Sequence, residues 1–201
     1  VTKEEVLKEF RAREILEAAR RVVGRFGFEG TTIDRVAEEA KVAKGTIYLY
    51  FRNKNVLLHA AILEGLRAMV MEIEAGDLPD LPPLERIKAL VHSQFRIQAS
   101  NQDFLKAFFL ESSFVNFEPG DERGEELRAV YIDLLNFVAA ILKAAMDSGA
   151  LRRIDPLFAA FMLTEIMTGC LRRRLIGLTS TPVEEDAGEV LELFLRGVIA
   201  R

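Results

Sequence analysis

Between Thr31 and Leu58 the chain reads TTIDRVAEEAKVAKGTIYLYFRNKNVLL, two short stretches of helical periodicity separated by an interruption of only three residues. Thr31 and Thr32 are both N-cap candidates, and Asp34 falls in the first turn that would follow. Ile33, Val36, Ala37 and Ala40 share one face at the i, i+3, i+4, i+7 spacing. The pattern breaks at Lys41-Val42-Ala43 and resumes from Lys44, with Ile47 and Phe51 one turn apart and Val42 available to plug the corner. Asn53 is a suitable cap for a third helix from Lys54. The spacing predicts a helix-turn-helix. Its outward residues are Lys44, Gly45, Thr46, Tyr48 and Tyr50, where the solvent face of an ordinary bundle helix would carry Glu and Lys. From Lys41 to Lys54 there are four basic residues and no acidic one, in a chain of net charge -4. The positive charge is therefore local, as a phosphate-binding surface requires.

Charge is also divided along the chain. Residues 1–60 hold 12 Lys and Arg against 9 Asp and Glu, a net of +3; the remaining 15 against 22 leave -7. Such a division suits a protein that offers one end to a polyanion and keeps the rest away from it. With 201 residues, half of them apolar, the chain has enough material for one or two cores. The longest apolar runs, such as Phe137–Leu142 and Leu157–Leu163, fall short of the roughly 20 residues of a membrane span. The opening Thr2–Glu14 is too densely charged for a signal peptide. Cys170 is the only cysteine, which excludes an intramolecular disulfide and fits a reducing compartment. A soluble, cytoplasmic protein is expected.

From Gly27 to Lys54 the residues follow the pattern G-F-x-G-T-T-I-x-x-V-A-x-x-A-x-V-x-K-G-T-I-Y-x-Y-F-x-N-K, with Leu57 beyond it. This resembles the TetR-type one-component transcription regulators, over about a quarter of the chain; a Leu-Phe-Leu-Arg-Gly segment at Leu193–Gly197 adds a weaker likeness. The resemblance implies a dimeric regulator, most often a repressor, that binds an inverted-repeat operator in double-stranded DNA and is released by a small molecule. Carried onto this chain, it makes Lys44, Gly45, Thr46 and Tyr48 the expected groove contacts, and Thr32, Tyr48, Tyr50 and Lys54 the expected phosphate contacts. Ile47 and Phe51 should be core. The family's usual corner glycine is Lys41 here, its capping serine is Ala43, and the acid that usually follows Lys54 is Asn55. A left-handed lysine costs on the order of 1 kcal/mol against glycine, and a missing N-cap about as much again.

The rest of the chain reads as all-α, about nine helices in total. The first helix is expected from Lys3 to Phe26, with Ile15, Ala19, Val22, Val23 and Phe26 on its packing stripe and Gly27 as its stop. Lys3, Lys8 and Arg11 either graze a minor groove or belong to a solvated surface with Glu4, Glu5 and Glu9. Further helices are expected at Lys54–Glu74, Leu84–Ser100, Asp103–Phe114, Glu126–Ser148 and Pro156–Leu178, with a last one from Thr181 or Pro182 to Ala200. Residues 1–53 then form the DNA-binding domain, and 54–201 a helical bundle for ligand binding and dimerisation.

Phenylalanine is concentrated in the middle helices, where it either fills a bundle core or lines an adaptable apolar cavity. The resemblance favours a cavity for an apolar or amphipathic effector, with Phe95, Phe104, Phe108, Glu111, Phe137, Phe161 and Glu165 as its candidates. Glu111 and Glu165 stand in apolar surroundings, where a carboxylate needs a cationic ligand, a partner such as Arg96, Lys106 or Arg128, or exposure. His59 and His92 lack the spacing of a metal site and read as packing residues. No metal or cofactor is expected. Met167, Leu171, Val190, Leu193 and Phe194 are candidates for the dimer contact, and Arg172-Arg173-Arg174 reads as a helix-end or dimer salt-bridge element, or a second nucleic-acid patch. No nucleophile elbow, HExxH or phosphate-binding glycine loop is present, so an enzyme is not expected. The competing readings are a helical small-molecule carrier and a DNA-binding protein without an effector.

Overall fold

A computed structural model describes residues 2–77, 79–110, 122–181 and 183–198, omitting the side chains of Leu110, Glu122, Val183 and Glu184. Among them are nine helices: α1 Lys3–Gly30, α2 Ile33–Glu39, α3 Lys44–Tyr50, α4 Lys54–Ala75, α5 Pro83–Ser100, α6 Gln102–Leu110, α7 Glu122–Asp147, α8 Pro156–Leu175 and α9 Val183–Val198. The chain divides into two compact units, one of Val1–Ala68 with Gln102–Leu127 and the other of Met69–Asn101 with Arg128–Arg201. Helices α4 and α7 each run from one unit into the other.

In the first unit, α1 opens with a reciprocal capping box. The Thr2 amide donates to Glu5 Oε2 at 2.7 Å and the Glu5 amide to Thr2 Oγ1 at 3.2 Å. Its first turns are exposed, and burial begins at Ile15. Gly27 does not end α1 as the sequence suggests. It takes φ 70°, ψ 175°, and the chain resumes a helical turn that drives Phe28 into the core. A side chain would be strained at that φ, so glycine is needed there. Phe26, expected on the packing stripe, lies outside the core, with the Arg35 guanidinium 4.4 Å from its ring centroid.

Ile15, Ala18, Ala19 and Val22 of α1 meet Ile33, Val36 and Ala37 of α2, Ile47 and Phe51 of the α3 segment, and Leu57 and Ala61 of α4 in one apolar cluster. Helix α6 packs on α1. The approach is close at Gly65, where a Cβ would lie 2.8 Å from Arg20 Nε and 3.1 Å from the Phe104 ring. Arg20 lies over the Phe104 ring at 5.1 Å, and its desolvation lowers the guanidinium pKa. His59 of α4, expected as a packing residue, has a polar partner: its Nε2 lies 2.6 Å from Glu126 Oε2 of α7. His92 is exposed.

In the second unit, α9 packs on α5 and α8. Ile87, Leu90, Val91 and Phe95 of α5 and Ala187, Val190, Leu191 and Phe194 of α9 are buried. Asp155 caps α8, accepting from the Phe158 amide at 2.8 Å, with Pro156 at the first helical position. That helix ends at Leu175, three residues short of the expectation, and Gly177 at φ 76° turns the chain out of it. Its C-terminal arginines anchor α9. Asp186, only 1% exposed, accepts from Arg173 Nη2 at 2.7 Å and also bonds Arg174. Helix α7 is long and apolar enough to cross a membrane, contrary to what the apolar run lengths suggest. Its most apolar positions, among them Leu135, Val138, Ile141, Leu142 and Met146, are nevertheless inside the protein. These positions give α7 one buried face, while Ile132 is exposed.

Candidate nucleic-acid interface

Thr32, not Thr31, caps α2: it accepts from the Arg35 amide at 3.2 Å, while buried Thr31 donates its hydroxyl to the Gly27 carbonyl at 2.6 Å. Capping consumes a lone pair of Thr32 Oγ1 and leaves its exposed hydroxyl free to donate to a phosphate. The corner beyond α2 is closed by the Lys41 amide on the Glu38 carbonyl at 3.1 Å and the Val42 amide on the Ala37 carbonyl at 2.9 Å. Lys41 takes φ 56°, the left-handed conformation expected of it.

Within α3, Ile47 is fully buried while Lys44, Gly45, Tyr48 and Leu49 are exposed, so one face anchors the helix and the opposite face is left free. A Cβ added at Gly45 would meet nothing within 4 Å. The protein itself places no steric demand for glycine there; the open space is on the side a partner would occupy. Thr46 is half-buried, with its amide on the Ala43 carbonyl at 2.8 Å. Tyr50 is half-buried too, its ring packed on the head's core cluster. The Lys54 ammonium donates to the Glu29 carbonyl at 3.2 Å.

The sequence offers no signal for the partner of Lys44. Its ammonium lies 2.8 Å from Asp34 Oδ1 and 2.9 Å from Oδ2, across the corner from α3 to α2. Hydrogen bonding to Asp34 raises the lysine pKa and keeps it charged. A separation of ten residues across a turn matches no helical spacing, so only the folded corner brings the pair together. Nor does the sequence reveal that Arg21 and Arg25 of α1 bind Glu39, Arg21 Nε at 2.7 Å, which lowers the carboxyl pKa and neutralises an acid of α2. An open groove of about 340 Å³ adjoins the end of α3, lined by Glu5, Lys8, Glu9 and Ala12 with Leu49, Tyr50 and Phe51.

Ala43 is the N-cap of α3, with extended backbone (φ -68°, ψ 147°) and no side-chain cap bond. A serine hydroxyl there would accept from first-turn amides that have no side-chain cap bond. Ala43→Ser is expected to raise stability by about 1 kcal/mol; a denaturant melt showing no gain would mean that water already satisfies those amides.

The other candidates are dispersed. Phe104 and Phe108 are buried in the first unit, their rings stacked with centroids 6.5 Å apart. Phe95, Phe137, Phe161 and Glu165 belong to the second. Phe95 is buried, Phe137 half-buried and Phe161 43% exposed. Glu165 has a partner other than the cations that the sequence suggests, since the Tyr131 hydroxyl donates to its Oε1 at 2.8 Å. Desolvation and this bond push the Tyr131 pKa upward. Glu111 lies outside the described residues. Among the dimer candidates, Met167, Leu171, Val190 and Phe194 fill the protomer's own core, because they share the inner faces of α8 and α9; Leu193 is 66% exposed. The outer face of α8 instead carries Leu157, Phe158, Phe161 and Met162. Among the described residues no group of His, Cys, Asp and Glu side chains is arranged to hold a metal.

An anchored seven-residue helix presenting hydroxyl, phenol, ammonium and bare backbone, on an all-helical body, defines a helix-turn-helix DNA-binding regulator. Residues 15–61 match the family model described as bacterial regulatory proteins, tetR family. Bacillus subtilis provides two similar proteins. The uncharacterized HTH-type transcriptional regulator YhgD is 29% identical over 78% of this chain and 80% of its own length. The fatty acid metabolism regulator protein is 24% identical over 92% and 94%. Among solved structures, FadR of B. subtilis in complex with stearoyl-CoA superposes with a TM-score of 0.77 at 22% identity, covering 92% of this chain and 98% of that one. The helix-turn-helix head is thus similar to that of the tetR family, and over most of its length the chain is similar to DNA-binding transcription regulators.

Proposed function

We propose that the chain works as a homodimeric, cytoplasmic repressor whose two heads read the half-sites of an inverted-repeat operator and are released by an apolar or amphipathic effector. The outward face of α3 carries this reading: Lys44, Gly45, Thr46 and Tyr48 stand over the fully buried anchor Ile47. Lys44, Gly45, Thr46 and Tyr48 meet base edges or groove walls, while Thr32, Tyr48, Tyr50 and Lys54 hold phosphates. In this reading residues 1–53 form the DNA-binding domain and 54–201 the part that binds effector and dimerises. Dimerisation is supported by the outer face of α8, where Leu157, Phe158, Phe161 and Met162 are exposed, and by Leu193 on α9. Apolar side chains grouped in this way mark a contact surface. Phe95, Phe137, Phe161 and Glu165 of the second unit and, separately, Phe104 and Phe108 of the first, together with Glu111, are the residues to test one by one for effector contact. A relative named for fatty acid metabolism and a fold neighbour solved with stearoyl-CoA make a long-chain acyl thioester the first effector to try. Effector and operator then exclude one another by favouring different separations of the two heads.

The deciding experiment is selection of duplexes from a random pool by the purified protein at about physiological salt, where non-specific binding is weak. An inverted repeat is the expected product. Recovery of no common sequence from a folded dimer, with an acyl thioester still bound, would point to a carrier instead. On the selected duplex, Lys54→Ala is expected to weaken binding to all sequences and to flatten the salt dependence. Lys44→Ala is expected to alter base preference, by about 1–3 kcal/mol at one position. Equal effects of both substitutions on selected and random duplexes would refute the division of roles.

A further inference from the structure

Lys41 combines a strained backbone with an exposed side chain. Its φ of 56° makes it the single non-glycine residue with positive φ among those described. The bonds from its own amide to Glu38 and from Val42 to Ala37 fix the corner, so the conformation belongs to the motif's geometry and glycine would adopt it without strain. A residue retained in a sparsely populated conformation invites a functional explanation.

The surrounding cations supply one. Lys44 is paired with Asp34, Lys54 with the Glu29 carbonyl, Arg35 with the Gly30 carbonyl and the Phe26 ring, and Arg21 and Arg25 with Glu39. Lys41 and Arg52 have no such partner among the described residues. Lys41 stands three residues ahead of α3, on the corner that enters the recognition helix. We propose that Lys41 is a DNA-phosphate contact, and that the strain at the corner is retained because its ammonium reaches the backbone beside the groove that α3 enters. This inference rests on the DNA-reading role of α3 and adds a residue to it. The opposing view is that Lys41 is merely tolerated, in which case glycine would improve stability at no cost to binding.

Four proteins separate the two views: wild type, Lys41→Gly, Lys41→Asn and Lys41→Arg. Asparagine tolerates the left-handed conformation without charge, and arginine keeps the charge. Each is melted thermally and titrated by fluorescence anisotropy with a labelled duplex of random sequence over a range of salt. Lys41→Gly is expected to raise Tm by about 2–4 °C. Lys41→Gly and Lys41→Asn should nonetheless bind roughly eightfold more weakly near 0.1 M salt, with a slope of log K against log salt shallower by about 0.9. Lys41→Arg should keep the wild-type slope. Wild-type slopes for both uncharged variants would overturn the proposal, and so would weaker binding by Lys41→Gly alone, which would indicate a loosened corner. Absence of salt-dependent duplex binding by the wild type would sink the DNA-reading role itself, and Lys41 with it.

Discussion

Asp186→Ala is expected to lower the unfolding free energy by about 3–5 kcal/mol, the largest loss among the substitutions considered. The carboxylate is the shared acceptor of Arg173 and Arg174. The side chain of Arg174 is only 13% exposed, so removing Asp186 leaves a guanidinium inside the protein without its counter-charge. Arg174 also donates to the Thr181 carbonyl, a bond too small to compensate for a lost ion pair. Arg173 differs, being more exposed and having Glu189 at 3.8 Å as an alternative. Arg173→Ala should therefore cost about 1 kcal/mol or less. The contrast is measurable in urea melts of the two variants. A loss below about 1 kcal/mol for Asp186→Ala would mean that water reaches Arg174 and that the α8–α9 clasp contributes little. Because the proposed dimer surface uses the outer faces of these helices, Asp186→Ala should also weaken the dimer in sedimentation measurements.

Ile47→Ala should cost about 2–5 kcal/mol, through lost burial and the cavity left behind. Ile47 is the buried anchor of α3, packed in one cluster with Ile15, Val36, Phe51 and Leu57. Neighbouring Tyr48 is 49% exposed, and Tyr48→Ala should change stability by no more than about 0.5 kcal/mol while impairing duplex binding. Ile47→Ala should impair both. Two of the three tyrosines, Tyr48 and Tyr50, lie in α3, and there is no tryptophan, so intrinsic tyrosine fluorescence is weighted toward the head. It should report an earlier transition for Ile47→Ala than for wild type. Full duplex affinity together with that lower midpoint would show that α3 is held by its flanking turns rather than by Ile47.

Much of the head is legible in the amino-acid sequence because its information is local. The buried face of α2, the anchor at Ile47 and the cap at Asn53 all follow from residue type at helical spacing, whereas the left-handed corner at Lys41 is legible only through the family resemblance, which places a glycine there. The exceptions have physical causes. Gly27 reads as a stop, yet the three residues after it regain helical form because burial of Phe28 outweighs the break. Phe26 reads as core, but the kink one residue later leaves it outside, where Arg35 covers it.

The second unit is legible in kind and not in detail. A helix that is apolar nearly all round must be covered on more than one side, and periodicity cannot say which side meets the protomer. On α8, Met167 and Leu171 point inward and Phe158 and Phe161 outward. The same ambiguity places Val190 and Phe194 beside Leu193 as equals, when only Leu193 faces out.

The sequence by itself determined the helical class, the helix-turn-helix and the chemistry of its free face, since each depends on residues within a few turns of one another. Only the tertiary structure decided which charges are paired: Lys44 with Asp34, Glu39 with two arginines of α1, His59 with Glu126, Glu165 with Tyr131 and Asp186 with Arg173 and Arg174. A charge interacts with whatever the fold brings within a few ångströms, and most of these partners lie on different helices. Which cations remain available to a polyanion is therefore a property of the folded head.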